Sequence, residues 1–199
     1  MGCRVLGVDG CKAGWVGVVL SDGAALAYFA AAIGDLAEQA SAAGPLDAVT
    51  VDMPIGLPEA GCRRADVLAR QMAGPRRAPV FMTPVRAALA EEDFAAATAV
   101  NAGLAGEGIS RQAHGPRSRI LQVGEWVRHA PYRVAGIYPE VSFACLAGAP
   151  LTVSKSTWAG AGSCWPERDR PGRDLGLRVR RQASMTSSMP PQQPGRHSG

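Results

Sequence analysis

Two carboxylates stand where apolar runs stop. Asp9 follows Val5-Leu6-Gly7-Val8 and Asp52 follows Val49-Thr50-Val51, so each places an acid at the end of a strand-like segment. A buried strand does not readily carry a lone anion, because desolvating it costs several kcal/mol unless a cation or strong donors compensate. Two such acids on neighbouring strands repel each other unless a divalent metal lies between them. Hard oxygen ligands with open positions suit Mg2+ or Mn2+, and a two-metal centre of that kind activates water and stabilises the leaving oxygen of a phosphodiester. The same placement also suits ordinary turn residues, since Asp-Gly and Asp-X-Pro both favour turns. Spacing alone leaves both readings open.

The elements that must position these acids follow from the hydrophobic pattern. Strand-like runs at residues 4–8, 14–20 and 24–30, separated by short Gly- and Asp-rich segments, predict an antiparallel meander. Ile33, Leu36, Ala37 and Ala40 then recur at helical spacing, and Gly44-Pro45 stops that helix. The run Ala48 to Val51, closed by Asp52-Met53-Pro54, predicts a buried strand beside the first. Between about residues 57 and 115 the pattern is mainly helical and broken by prolines, with the best helices over 64–73 and 93–105; this stretch reads as an insertion over the core. A helix over 118–129, a strand over 132–138 and a short helix over 141–147 follow. The expected class is α/β, a mixed sheet of antiparallel meander plus parallel strands with flanking helices, a helical insertion and an irregular C-terminal tail.

Composition narrows the function classes. At 199 residues with 47% hydrophobic content, the chain suffices for one domain with a real core and is short for two. No stretch has the uninterrupted apolar length of a signal peptide or a bilayer span, which predicts a cytoplasmic protein with no membrane partner. Cys3, Cys11, Cys62, Cys145 and Cys164 form no CxxC pair and have no histidine at zinc spacing, so the expectation is reduced thiols, mostly buried. His114, His129 and His197 show no metal spacing and are expected to face solvent. The net charge of +4 is carried by the tail beyond Gly160, where Arg168, Arg170, Arg173, Arg178, Arg180, Arg181 and Arg196 outnumber Glu167, Asp169 and Asp174. The body before it is neutral overall, and bulk charge says little about what it binds.

Five strings occur in order: VLGVDGCKAGWVGV (residues 5–18), VDMPIGLP (51–58), ADVLARQMAGPRRAPVFMTPVRAAL (65–89), NAGLAGEGISRQ (101–112) and YPEVSFACLAG (138–148). Together they resemble the uncharacterised family of predicted ribonuclease-H-like nucleases, domain of unknown function 429. The resemblance runs from Val5 to about Gly160. It implies a ribonuclease-H-like fold and a metal-dependent hydrolase using Mg2+ or Mn2+ on a nucleic acid substrate; it names no substrate type and no oligomeric state.

Carried over by motif, Asp9 matches the acid of the first strand and Asp52 the acid ending the fourth. Glu140, in Tyr-Pro-Glu-Val-Ser-Phe, matches a Pro-Glu motif and is the third expected metal ligand, although an acid there also suits a helix N-terminus. Asp9, Asp52 and Glu140 are therefore the expected catalytic and metal-binding residues. Lys12 and Trp15 match the first motif, where Lys12 is placed either on a phosphate or on a solvated hairpin. Arg76-Arg77, beside Gly74-Pro75, suit a phosphate clamp with charge-assisted hydrogen bonds; with Arg63, Arg64, Arg70 and Arg86 they also read as scattered surface arginines. Ser110 and Gln112 fall in a polar motif with no derivable role.

Residues 1–160 thus read as the nuclease-like domain and 161–199 as an irregular tail. After Ser154-Lys155-Ser156-Thr157-Trp158-Ala159-Gly160 the resemblance implies a closing helix that brings further acids, whereas the chain offers Pro, Arg, Gln and Ser without period and is expected to pack poorly. Back-translated with GC-rich codons and shifted by two bases, residues 182–199 read GVDDVLDAAAAAWTALR, an alanine-rich helix with acids at helical spacing. Met185-Thr186 forces an Asp and Met189-Pro190 forces an Ala in that frame whatever synonymous codons are used. The tail is accordingly read as a frameshift product, with the slip near Gly160, and the chain as a nuclease impaired by loss of its closing acidic helix. The alternatives are a non-catalytic nucleic-acid or nucleotide binder on the same fold, and a phosphotransferase of the actin and sugar-kinase branch. The latter would need two such folds and glycine-rich phosphate loops, which the sequence lacks.

Overall fold

A computed structural model describes residues 2–148. The expected tail at 161–199, its frame shift and the end of the 1–160 domain lie outside these residues. The first apolar run forms β1 (Val5–Cys11), which turns through Lys12-Ala13 into β2 (Gly14–Ser21). A second tight turn leads to β3 (Ala24–Ala30); its Asp22 and Gly23 have φ of 47° and 76°, the positive values that two-residue hairpins require. β1 with β2 and β2 with β3 are antiparallel, as the three short runs predict.

Helix α1 (Ile33–Ala42) then carries the chain back across the sheet, so that β4 (Ala48–Val51) enters parallel to β1. The crossover buries Ile33, Leu36, Ala37 and Ala40, the residues whose spacing marks the helix. They pack with Leu6, Val8, Trp15, Val19, Val49, Val51 and Val123 in one core. Each fully buried Leu or Ile there contributes roughly 1.5–3 kcal/mol. The helix lies close: a Cβ on Gly17 would meet Leu36 Cδ2 at 2.8 Å and Leu6 Cδ1 at 2.9 Å. Trp15 is buried in this layer, and its indole N–H donates to Gln122 Oε1 at 2.7 Å.

The insertion is helical but more divided than the pattern predicts. It holds α2 (Arg64–Ala73), a 3-10 turn (Gly74–Arg76), α3 (Arg86–Ala90), α4 (Phe94–Ala105) and α5 (Arg111–His114). Asp93 caps α4, accepting the Ala96 N–H at 2.8 Å, and Ser110 caps α5, accepting from Ala113. The chain returns through α6 (Arg117–Trp126) to β5 (Arg133–Gly136), parallel to β4, and the last described element is α7 (Pro139–Ala147). The described residues thus form an α/β fold with seven α-helices and a mixed five-stranded sheet of order β3-β2-β1-β4-β5. None of these helices is long and apolar enough to cross a membrane.

Two surface expectations are corrected. His114 is only 9% exposed: its Nε2 lies 3.0 Å from the Glu91 carbonyl oxygen and its ring stands edge-on to Phe94, so a satisfied ring nitrogen makes burial affordable. Conversely, Cys3, Cys62 and Cys145 are exposed and Cys11 half-buried, all as free thiols; they sit near element ends or on outward helix positions, where residue type does not decide burial. His129 is exposed as expected.

Candidate functional site

The sheet register sets the two aspartates side by side. Val8 pairs with Val51, and the Asp52 N–H donates to the Val8 carbonyl at 3.0 Å, continuing the parallel ladder one step and bringing Asp52 opposite Asp9. Neighbouring strands lie roughly 4.8 Å apart. Because side chains alternate, both acids face away from buried Val8 and Val51, on the sheet face that carries Val16, the antiparallel partner of Asp9.

Asp9 differs from its expected setting in one respect. β1 does not stop at Val8; its hairpin with β2 holds through Cys11 opposite Gly14, and Asp9 lies within the strand, at the point where the partner β4 gives out. Its side chain is exposed, so the desolvation argument does not apply to it.

Glu140 reaches the same place from the far edge of the parallel strands. β5 ends at Gly136 beside the end of β4, and the Ile137 N–H donates to the Val51 carbonyl at 2.9 Å. Tyr138 then opens α7, with Pro139 at its first position and Glu140 in its first turn, where the helix dipole favours an acid. Glu140 is 8% exposed. Asp9, Asp52 and Glu140 all line one cavity of about 340 Å³, together with Thr83, Gln112 and Tyr138. It lies beyond the carboxyl ends of β4 and β5 and beside Asp9 of β1, the usual side for ligands on parallel strands. No Lys, Arg or His is among its described lining residues. The three acids share a cleft rather than a cage: among the described residues no group of three His, Cys, Asp or Glu side chains is drawn together closely enough to hold a metal ion.

Of the expected phosphate-binding cations, Lys12 and Arg77 are not among the described residues that line this cleft. Lys12 sits exposed in the β1–β2 turn. Arg76 lies in the 3-10 turn after α2, and Arg77 is exposed beside a different depression with Arg70 and Met82.

A buried polar cluster behind the cleft wall went unread in the sequence. Asp66, wholly buried on α2, accepts the Thr83 N–H at 2.8 Å and the Tyr138 hydroxyl, and pairs with Arg63 Nε at 3.3 Å. Arg63 also donates to the Tyr138 oxygen at 3.3 Å, while its buried Nη1 has no hydrogen-bond partner among the described residues. Burial pushes the Tyr138 phenol well above its usual range, and the hydrogen bond and charge of Asp66 add to the shift against Arg63 and Thr83. The cluster ties α2 and the 80–85 loop to the residue that opens α7, and so fixes where Glu140 stands. In sequence Asp66 looks like any acid in the first turn of a helix. Only its spacing to Arg63, three residues before, hints at a pair.

An α/β protein with a carboxylate-lined cleft at the ends of its parallel strands is the class that fold and site define. The chain belongs to the family DUF429, a protein of unknown function, whose model matches residues 7–185. That match continues past Gly160, through much of the segment read as shifted in frame. No curated protein matches the chain, and no solved structure does.

Proposed function

We propose that this protein is a metal-dependent phosphodiesterase of ribonuclease-H-like fold, acting on nucleic acid. The observation that carries the reading is the like-charged pair Asp9 and Asp52, in register on adjacent parallel strands, opening into the cleft that Glu140 lines. Two carboxylates set side by side where a parallel ladder gives out are a donor pair suited to a hard divalent cation. The sheet order and the parallel entry of β4 and β5 also support the fold reading. The donor chemistry fits a hard cation, Mg2+ or Mn2+. Asp9 and Asp52 would hold it, and Glu140 supplies the third carboxylate of the cleft.

When bound, such an ion lowers the pKa of water and offsets charge on the phosphate. The protein's own share is positional. The β1–β4 ladder fixes the two aspartates, and the Asp66–Tyr138 cluster fixes the start of α7. In the net reaction a water oxygen bonds to phosphorus, the bond to the leaving oxygen breaks, and the proton lost by water is matched by one gained by the leaving oxygen.

The same reading holds that the closing acidic helix is out of frame in this chain, so cleavage by the 199-residue protein is slow. The test is cleavage of labelled single-stranded, duplex, hybrid and junction substrates with Mg2+, Mn2+ or chelator. Slow metal-dependent cleavage that Asp9→Asn and Asp52→Asn abolish is expected. Binding without cleavage under every metal condition, even after the frame is restored, would overturn the hydrolase reading in favour of a non-catalytic binder.

A further inference from the structure

The acid cleft does not end at its own walls. A second cavity of about 290 Å³ shares Val80, Phe81, Thr83 and Gln112 with it. A third, of about 300 Å³, shares Arg70 and Met82 with the second and is also lined by Arg77. Through these shared walls the three neighbouring cavities link the carboxylates, by way of the 80–83 loop, to two arginines on and just after α2. We propose that this is a track for a single-stranded nucleic acid, whose scissile phosphate lies at the carboxylates and whose flanking phosphates meet Arg70 and Arg77. The proposal rests on the phosphodiesterase reading and adds a substrate class to it.

Charge is arranged for this polarity. At one end the lining is carboxylate, which meets a phosphate through a cation; at the other, guanidinium groups attract one directly. Among the described residues neither Arg70 nor Arg77 is in an ion pair, so both are available to a ligand. The exposed Glu107 also borders the second cavity, but its fixed contact is through the backbone, the carbonyl accepting from Asn101 Nδ2 at 2.8 Å.

Shape selects a single strand over a duplex. Each cavity is near the lower end of the roughly 300–1,000 Å³ typical of small-ligand sites, which admits a nucleotide and not a helix with its bases turned inward. Half-buried Phe81 stands in the wall common to the first two cavities. There it offers a ring to an unpaired base, the usual device of sequence-tolerant single-strand binders.

The experiment is fluorescence anisotropy of labelled single strands of about 4 to 8 nucleotides with the full-length protein in chelator, across a salt series, beside the same sequence as a duplex. Single strands should bind at least about tenfold more tightly than the duplex. Arg77→Glu, at an exposed position that leaves the fold intact, and Arg70→Glu should each weaken binding about tenfold and flatten the log–log salt slope by about 0.7. Phe81→Ala should weaken binding about tenfold with the slope unchanged. Duplex binding as tight as single-strand binding, or arginine variants with unchanged affinity and slope, would overturn the track. The two readings fail separately: arginine-dependent single-strand binding without cleavage under any metal condition, in the frame-restored chain as well, sinks the hydrolase and leaves the track. Asp9-dependent cleavage indifferent to Arg70 and Arg77 does the reverse.

Discussion

Asp9 and Asp52 occupy matching positions on adjacent strands, and that register decides the sign of what Asp9→Asn should do. In chelator the substitution removes a like-charge contact, so the variant should melt slightly higher, by a few tenths to about 1 kcal/mol. The stabilisation that Mn2+ gives the parent protein should vanish in the variant, since only binding to the folded state raises the melting point. Thermal melts with and without Mn2+ check both halves, and a variant that melts lower in chelator while keeping the Mn2+ response would contradict the pairing. Tyr138 makes a second prediction at this scale. Its phenol titrates above the usual range, chiefly through burial and then through Asp66, so the folded state holds the proton more tightly than the unfolded chain. The resulting stability is fully present below the unfolded tyrosine pKa of about 10 and is lost as pH rises through the raised folded value. Between about pH 9 and 11, urea midpoints should therefore fall more steeply for the parent than for Tyr138→Phe. Parallel slopes would show that the phenol does not carry this linkage.

Among the elements, the segment leaving β4 matters most, because it fixes the direction in which Asp52 points. It runs under β5: a Cβ on Gly136 would lie 2.7 Å from the Met53 carbonyl oxygen and 3.4 Å from the Ile55 nitrogen, and backbone cannot rotate away as a flexible side chain can. Gly136→Ala should therefore push residues 53–55 off the sheet, at a cost of about 1–3 kcal/mol by the usual scale for overpacking. It should also weaken Mn2+ binding without touching a carboxylate. Calorimetric titration of Mn2+ beside a urea melt measures the two effects, and an unchanged melt would mean that the segment has room to spare. Gly23→Ala is the control, since nothing lies within 4 Å of its Cβ. Its positive φ costs stability through the backbone alone, so Mn2+ binding should stay unchanged.

For the whole molecule, the question is what stands on the sheet face that carries Asp9. The opposite face is closed by α1 and Val123 of α6, whereas Val16, Val18, Leu20 and Phe29 are 37–59% exposed. On the proposed frame shift, with GC-rich codons, the tail would instead encode a closing helix with acids at helical spacing, and such a helix would cover apolar surface and add carboxylates at one stroke. Restoring the frame from the codon of Gly160 should then raise the melting temperature by several degrees, the size of effect that a few kcal/mol has in a domain of this length. It should also speed Mn2+-dependent cleavage, with Asp9→Asn abolishing the gain. Side-by-side melts and cleavage assays of the two chains decide it. Equal stability and equal cleavage would show that the tail as written already does what the closing helix was expected to do.

The sequence by itself determined the elements that local chemistry dictates. Three strand-like runs with short Gly- and Asp-rich breaks marked the meander; Ile33, Leu36, Ala37 and Ala40 marked α1; and the apolar run before Asp52 marked the strand that returns beside β1. These are short-range signals, so they survive translation into structure almost unchanged. The tertiary structure alone decided what lies across from what. Asp66 and Tyr138 are 72 positions apart in the chain, and no periodicity joins them; Thr83 and Gln112 reach the cleft from a loop and a four-residue helix too short to leave a pattern. Asp9 looked like the end of a strand because its apolar run ends there, yet β1 continues through it, since a strand stops where its partner stops and not where its own hydrophobicity does. His114 looked solvent-facing because a histidine's burial depends on whether an acceptor awaits it, and that acceptor, the Glu91 carbonyl, is supplied by the fold. Residue pattern reports which face is apolar. Packing, which depends on the rest of the chain, decides which polar groups are carried inside and which acids meet.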